Sequence, residues 1–556
     1  MKRLTALILV SFTTNPVFAN QILVLSGGGT PLTNHYSQYL QTKTLFDDLK
    51  ERFPQTESTV LFGGGNQPGV VPTMGDVHRL VKLDGLDYES LIFGEIKGNS
   101  AASPENVEKY FAQDKLSKMR KNETLYLFVS DHGMPFINDQ GDFDLSYDNN
   151  CIDLFGYGAD LKSGDVTIMD DRQRCLARKD LQSKLESKVS AGRVLFAMSQ
   201  CYSGGFHKMS VSLEGLYPKA NSRICGFTAV PEDTTSSGCT ADVDGPNYQG
   251  YERYFTQQLT GLDIVSGERL RPARTSMKEA HEQATLEDNT KDIPLSTSDY
   301  YLWKWALAMG KKGFVPRTKV LGTQAALNVL ESLRIGAHAV NDPLYLAKEK
   351  FITEAKAAII KLHPELEPRI NGSLTELAEV VAAMGQALEA QQAMLMQVEN
   401  SVDSLTTVLV KHWSDVIRRG KSSLSEEDQD VEKVVFADTT TEDAALITMS
   451  VKAVTDPKRS EAISNYKARR IKLAMEWALK TRRKELASLV SRIKQNTKKL
   501  EQGNSIYDFN EKMHGHLRRI LIYRQALGAW AALDKMKDKQ ALSELKGLLE
   551  CERTTF

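Results

Sequence analysis

The chain has 556 residues, 41% hydrophobic and 25% charged, with a formal net charge of -1 at pH 7. That balance excludes an intrinsically disordered chain and any whole-protein field that would gather nucleic acid or anionic lipid. It leaves room for two or three cored domains.

Residues 1–19 open with Lys2 and Arg3, continue through apolar Leu4 to Phe12, and end in Val17-Phe18-Ala19. This pattern predicts a secretory signal cleaved near Ala19, hence a secreted or periplasmic protein. No later run reaches about eighteen apolar residues, so no membrane span is expected.

From Gln21 onward, short apolar runs alternate with helical patterns. The runs are Gln21 to Ser26, Ser58 to Phe62, Glu89 to Phe93, Thr124 to Ser130, Arg193 to Met198 and Ser222 to Ala229. Amphipathic stretches lie between them at Ser37 to Phe53, Pro104 to Met119 and Lys179 to Val189. Unalternated apolar runs suit strands buried on both faces, and the intervening helices suit parallel crossovers. The expectation is a doubly wound, mostly parallel α/β domain over residues 20–315.

Past Thr318 glycine thins out and the period becomes helical. Leu374, Leu377, Val381, Met384, Leu388, Leu395, Val398, Val402, Leu405 and Leu409 form one stripe at steps of three, four and seven, predicting a long amphipathic helix. Ala474 to Leu500 and His516 to Leu549 read as two more. Residues 316–556 are therefore expected to form an all-helical bundle, with Gly420 to Asp430 a polar loop.

Six cysteines occur: Cys151, Cys175, Cys201, Cys225, Cys239 and Cys551. With Cys201 reserved as a thiol, the local pairs are Cys151 with Cys175 and Cys225 with Cys239, leaving Cys551 over. No spacing suits a zinc site. The stretch between His132 and Cys201 holds Asp139, Asp142, Asp144, Asp148, Asp153, Asp160, Asp165, Asp170 and Asp171. That is either a solvated acidic loop or a calcium site without an EF-hand pattern. The basic run Tyr466 to Lys499 reads as a solvated helix face, so no nucleic-acid partner is expected.

Two strand-like runs lead into reactive residues. Thr124 to Ser130 precedes Asp131-His132-Gly133, and Arg193 to Met198 precedes Ser199-Gln200-Cys201-Tyr202. Carboxyl ends of parallel strands line the ligand crevice of an open sheet, so both residues are expected on one edge. Thiol catalysis needs a partly exposed thiol, an imidazole and donors for an oxyanion. Cys201, His132 and the N–H groups of Gly133 and Cys201 meet those needs. Gly204 and Gly205 are expected to leave room for a substrate chain.

The segments Leu127 to Gly133 and Leu195 to Gly204 resemble the two signature motifs of the legumain family of cysteine peptidases, in the clan that includes caspases and gingipains. Gly27 and Asn34 resemble the first-strand loop in which an asparagine orients the histidine. Thr228 to Thr235 resembles the strand and loop lining the pocket before the cut, which implies Thr234, Thr235 and Tyr202 as substrate-binding residues. The resemblance spans roughly residues 20 to 310 and implies an endopeptidase acting on peptides or proteins. Transpeptidation through the same acyl-enzyme is the variant, and a non-catalytic adhesion or assembly protein is the alternative. Where legumains place an arginine for Asn or Asp recognition this chain has His35, Tyr36 and Ser37, so asparaginyl specificity is not implied. Tyr202 likewise replaces a usual acidic residue. The helical half is expected either to cover the catalytic domain as a releasable pro-segment, cut near Thr318 or within Gly420 to Asp430, or to bind a protein partner.

Overall fold

The computed structural model describes residues 20–65, 75–83, 86–159, 166–189, 192–215, 217–244, 248–312, 330–331, 333–335, 343–419, 474–475, 478–479 and 484–556. The signal-like leader, Thr318, the polar loop Gly420 to Asp430, Asp160, Asp165 and much of the basic run lie outside them.

Six strands form the central sheet: β1 (Gln21–Ser26), β2 (Glu57–Phe62), β3 (Thr124–Val129), β4 (Arg193–Met198), β5 (Ile224–Thr228) and β6 (Leu295–Ser296), in the order β6-β5-β4-β3-β1-β2. All neighbours are parallel except the edge pair β5–β6. Side chains alternate between two cores, as period two requires. Ile22, Val24, Tyr126, Phe128, Leu195 and Ala197 point into one core; Leu23, Leu25, Leu125, Leu127, Val194 and Phe196 point into the other. Helices α1 (Tyr36–Arg52), α4 (Tyr251–Thr260) and α5 (Met277–Glu287) cover the first face, and α2 (Pro104–Phe111) and α3 (Arg178–Lys188) the second. The expected α/β class is thus present. α2 starts where Ser103 accepts from the Asn106 N–H and Pro104 fills the first turn, a strong helix start.

One run was misplaced by its sequence. Glu89 to Phe93 falls in the antiparallel hairpin Val77–Leu83/Leu86–Ile92, outside the central sheet.

α6 (Thr297–Lys312) ends the α/β part, and the described residues beyond 316 are mainly helical, as expected: α7 (Pro343–Leu362), α8 (Leu374–Arg419), α9 (Lys484–Met536) and α10 (Lys539–Glu552). α8 and α9 pack antiparallel, with Ser401 beside Asn496 and Gln391 beside Asn510. α9 is one 53-residue helix where the sequence suggested a break between Leu500 and His516. The chain turns instead at Lys537, at φ 53°, and Asp538 caps α10 by accepting from the Ala541 N–H.

The two halves share a core. Tyr300, Tyr301 and Trp305 of α6 pack in one cluster with Phe351 of α7, Leu377 of α8, Leu517, Ile520 and Tyr523 of α9, and Leu545 of α10. The C-terminus returns to the sheet, where Phe556 stacks on Tyr126 at 4.2 Å and Cys551 bonds to Cys225. That disulfide corrects the expected Cys225–Cys239 pair and gives Cys551 its partner; Cys239 is a free thiol. The expected Cys151–Cys175 bond is present. Two disulfides fit an oxidising compartment. Among the described residues no helix is long and apolar enough to cross a membrane.

Candidate active site

β3 and β4 are adjacent and parallel, with Thr124 opposite Arg193 and Val129 opposite Met198. His132 stands three residues past Val129, and Cys201 three past Met198. Both therefore follow the carboxyl ends of adjacent strands. Gly133 lies against the Cys201 backbone: a Cβ on it would fall 2.0 Å from the Cys201 carbonyl oxygen, so no larger residue fits. The neighbouring carbonyl of His132 accepts from the Asp153 N–H at 3.0 Å, outside the Gly133–Ile152 pair, leaving the Gly133 N–H turned away from that ladder.

The imidazole is fixed by backbone. Its Nε2 lies 2.7 Å from the Thr33 carbonyl oxygen. A carbonyl only accepts, so Nε2 carries the proton and Nδ1 is left as the basic nitrogen. Asn34 does not make this contact. Its amide donates to the Asp76 carbonyl at 2.7 Å, bracing the first loop against the hairpin. The contact with His132 expected of Asn34 is made here by the carbonyl of the residue before it.

Asp131 organises the loop beneath. Its carboxylate accepts from the N–H groups of Gly27 at 2.5 Å, Gly28 at 2.7 Å and His132 at 2.7 Å. Burial pushes its carboxyl well above the usual range, against those donors. Gly28 sits at φ 70° with Asn34 pressed on the side a Cβ would occupy, which demands glycine there.

Cys201 is a partly exposed thiol. Its sulfur receives the Ser236 N–H at 3.3 Å and lies 3.6 Å from the Ser236 hydroxyl. Burial raises its pKa, while Ser236 and then Lys291 act the other way. No hydrogen bond joins Cys201 to His132 among the described residues. Tyr202 turns the chain sharply at φ 60°, an uncommon conformation for a non-glycine residue. That turn is held by the Thr234 carbonyl, which accepts from the Tyr202 N–H at 2.8 Å, by Asn150, which donates to the Tyr202 carbonyl at 3.0 Å, and by stacking on Tyr147. Gly204 and Gly205 do not open a channel. They are buried against Pro231 and Asn150, and their smallness serves that packing.

Thr234 and Thr235 lie on the loop beside the thiol and are engaged by other residues: Arg518 of α9 donates to the Thr234 hydroxyl at 2.5 Å, and Lys291 to the Thr235 hydroxyl at 3.2 Å. Thr33, Asp131, Ser236, Lys291 and Arg518 escaped the sequence reading. Only Asp131, adjacent to His132, carried a visible signal.

The acidic stretch is largely paired. Asp153 binds Arg174 at 2.9 Å, Asp148 lies within reach of Arg178, Lys179 and Lys208, and Asp139 binds Arg172. Among the described residues no three potential ligands gather as a metal site.

No protein-family model matches this chain, and no curated protein matches it.

Proposed function

We propose that this chain is an exported cysteine endopeptidase of legumain-like, caspase-related type. The observation that carries the reading is that the adjacent strands β3 and β4 lead at the same interval into His132 and Cys201, with Gly133 against the Cys201 backbone. His132, protonated on Nε2 toward Thr33, takes the thiol proton on Nδ1. The thiolate attacks the peptide carbonyl carbon, and the N–H groups of Gly133 and Cys201 receive the oxyanion. The imidazolium returns its proton to the leaving amine as the C–N bond breaks. Water, deprotonated by the same Nδ1, then cleaves the thioester; an amine in its place gives transpeptidation.

Substrate approach displaces Ser236 from the sulfur, since its N–H and hydroxyl occupy the space beside Sγ. The exposed Met394, Met396, Ile506 and Phe509 on the α8–α9 pair favour a protein-binding role for that part of the helical half.

The test is turnover of fluorogenic peptides by the full-length protein. Cys201→Ala and His132→Ala are each expected to lower kcat/KM by at least about a thousandfold with the fold retained. Substantial turnover by Cys201→Ala overturns the reading.

A further inference from the structure

We infer that His35 is a positioning residue for the base: its ring, standing edge to face with that of His132, fixes the plane of the imidazole and so the direction of Nδ1. The inference rests on the peptidase reading and adds a residue to its machinery.

The His132 ring makes one hydrogen bond among the described residues, from Nε2 to the Thr33 carbonyl. A single bond at one nitrogen sets where that atom lies and lets the ring plane swing about it. General-base transfer needs the other nitrogen aimed as well, within hydrogen-bond reach of the proton it takes. The His35 ring supplies that second constraint. Its centroid lies 5.2 Å from that of His132 with the planes at 86°, an edge-to-face contact that a swung imidazole would lose.

His35 is itself held from two directions. Its N–H donates to the Gln38 side-chain oxygen at 2.9 Å where α1 begins, and its ring meets that of His78 at 5.9 Å. His78 lies in the hairpin Val77–Leu83/Leu86–Ile92, and its N–H donates to the Asn34 carbonyl at 2.8 Å. The hairpin outside the sheet thus braces a row of three rings that ends at the base.

Shape, not hydrogen bonding, is what the middle ring offers. Its Nδ1 is buried and closes no hydrogen bond. Burial lowers the His35 pKa to about 3, with His132 and then His78 adding to the effect and the Cys239 backbone opposing it. The ring is therefore neutral near pH 7 and sets no charge against an imidazole that must accept a proton.

The experiment joins steady-state kinetics to NMR of the full-length protein labelled with heavy nitrogen in histidine, the His132 signals being assigned by their loss in His132→Gln. Wild type is expected to show His132 as one tautomer, protonated on Nε2. In His35→Ala the two tautomers are expected to mix, while kcat on a fluorogenic peptide falls by about ten- to a hundredfold and KM changes by less than about threefold. His35→Phe, which keeps a flat ring, is expected to recover most of both losses. Wild-type tautomer and kcat in His35→Ala overturn the inference. A fall in kcat with the tautomer intact also overturns it, as does a loss in His35→Phe as large as in His35→Ala. Should His35→Ala fail to fold, His35→Leu, which fills similar space without a flat face, decides by the same measures. Absence of any Cys201-dependent turnover in the wild type overturns the peptidase reading, and the tautomer measurement still decides whether His35 holds the His132 ring.

Discussion

Arg518, deep in the helical half, donates to the Thr234 hydroxyl at 2.5 Å, and the Thr234 carbonyl in turn accepts from the Tyr202 N–H at 2.8 Å. One residue thus separates α9 from the turn that follows Cys201. Arg518 also pairs with Asp233, whose carboxyl is held below its usual range by the guanidinium against the effect of burial. Lys291, pinned between Thr235 and Glu511 of α9, repeats the arrangement.

On the proposed peptidase reading, Arg518 is a positioning residue. Arg518→Ala is expected to lower kcat/KM for peptide hydrolysis by about ten- to a hundredfold, mostly through kcat, because displacing a nucleophile by an ångström costs that much. Arg518→Lys keeps the charge but loses the forked donor and is expected to recover only part. Steady-state kinetics on both variants check this; wild-type rates in Arg518→Ala would remove the link.

The Cys225–Cys551 bond ties a central strand to the last helix across a sequence separation of 326. Closing so long a loop is expected to stabilise by about 6 kcal/mol in the chain-entropy account. Non-reducing peptide mapping should recover the 225–551 linkage, and Cys551→Ala should lower the chemical-denaturation stability by that order. The same bond argues against a releasable pro-segment. A chain ending near Arg317 loses Cys551, the Phe556 ring stacked on Tyr126, and the α9 and α10 side chains packed on α6. It is expected to be insoluble or unreactive at Cys201, not activated; a folded, more active truncation would restore the pro-segment reading.

The features legible in sequence were those written in contiguous side chains. β3 and β4, buried on both faces, read as unbroken apolar runs, and the reactive residues follow each at the same interval. The Thr33 carbonyl could not be read because any residue supplies one. The Cys225 partner was missed because nearness in sequence stood in for nearness in space, while α10 returns to the sheet from the far end of the chain. Gly515 lies inside α9. It sits where a Cβ would meet the Lys291 backbone at 2.5 Å, so glycine there permits close packing of the two halves.

His207 gives a pH test of the core behind the nucleophile. Its Nδ1 lies 2.9 Å from the Thr297 hydroxyl and its Nε2 3.0 Å from that of Thr228. Burial lowers its pKa to about 3, opposed by the Leu295 backbone and aided by Lys304. The folded state therefore binds fewer protons than the unfolded one between about pH 6.5 and 3. Its contribution is complete above the unfolded pKa and is lost as pH falls, by up to about 1.4 kcal/mol per pH unit. Glu252 and Glu552, raised to about 7, act in the opposite direction, so the comparison must be with a variant. His207→Gln is expected to be less stable at pH 7.5 by about 1–3 kcal/mol, with the gap closing between pH 6 and 4.5. Urea denaturation across that range checks it; a gap independent of pH would contradict the neutral, buried imidazole.

The most direct measurement of the central claim exploits the two free thiols, Cys201 and Cys239. Full-length protein is treated with a set of peptidyl acyloxymethyl ketones differing in the terminal residue, and modification is mapped by mass spectrometry. If His132 serves Cys201 as base, Cys201 is modified selectively, and His132→Ala slows its labelling by at least about tenfold while leaving the fold intact. Equal labelling of Cys239, or labelling of Cys201 that is indifferent to His132, would contradict a Cys201–His132 catalytic pair.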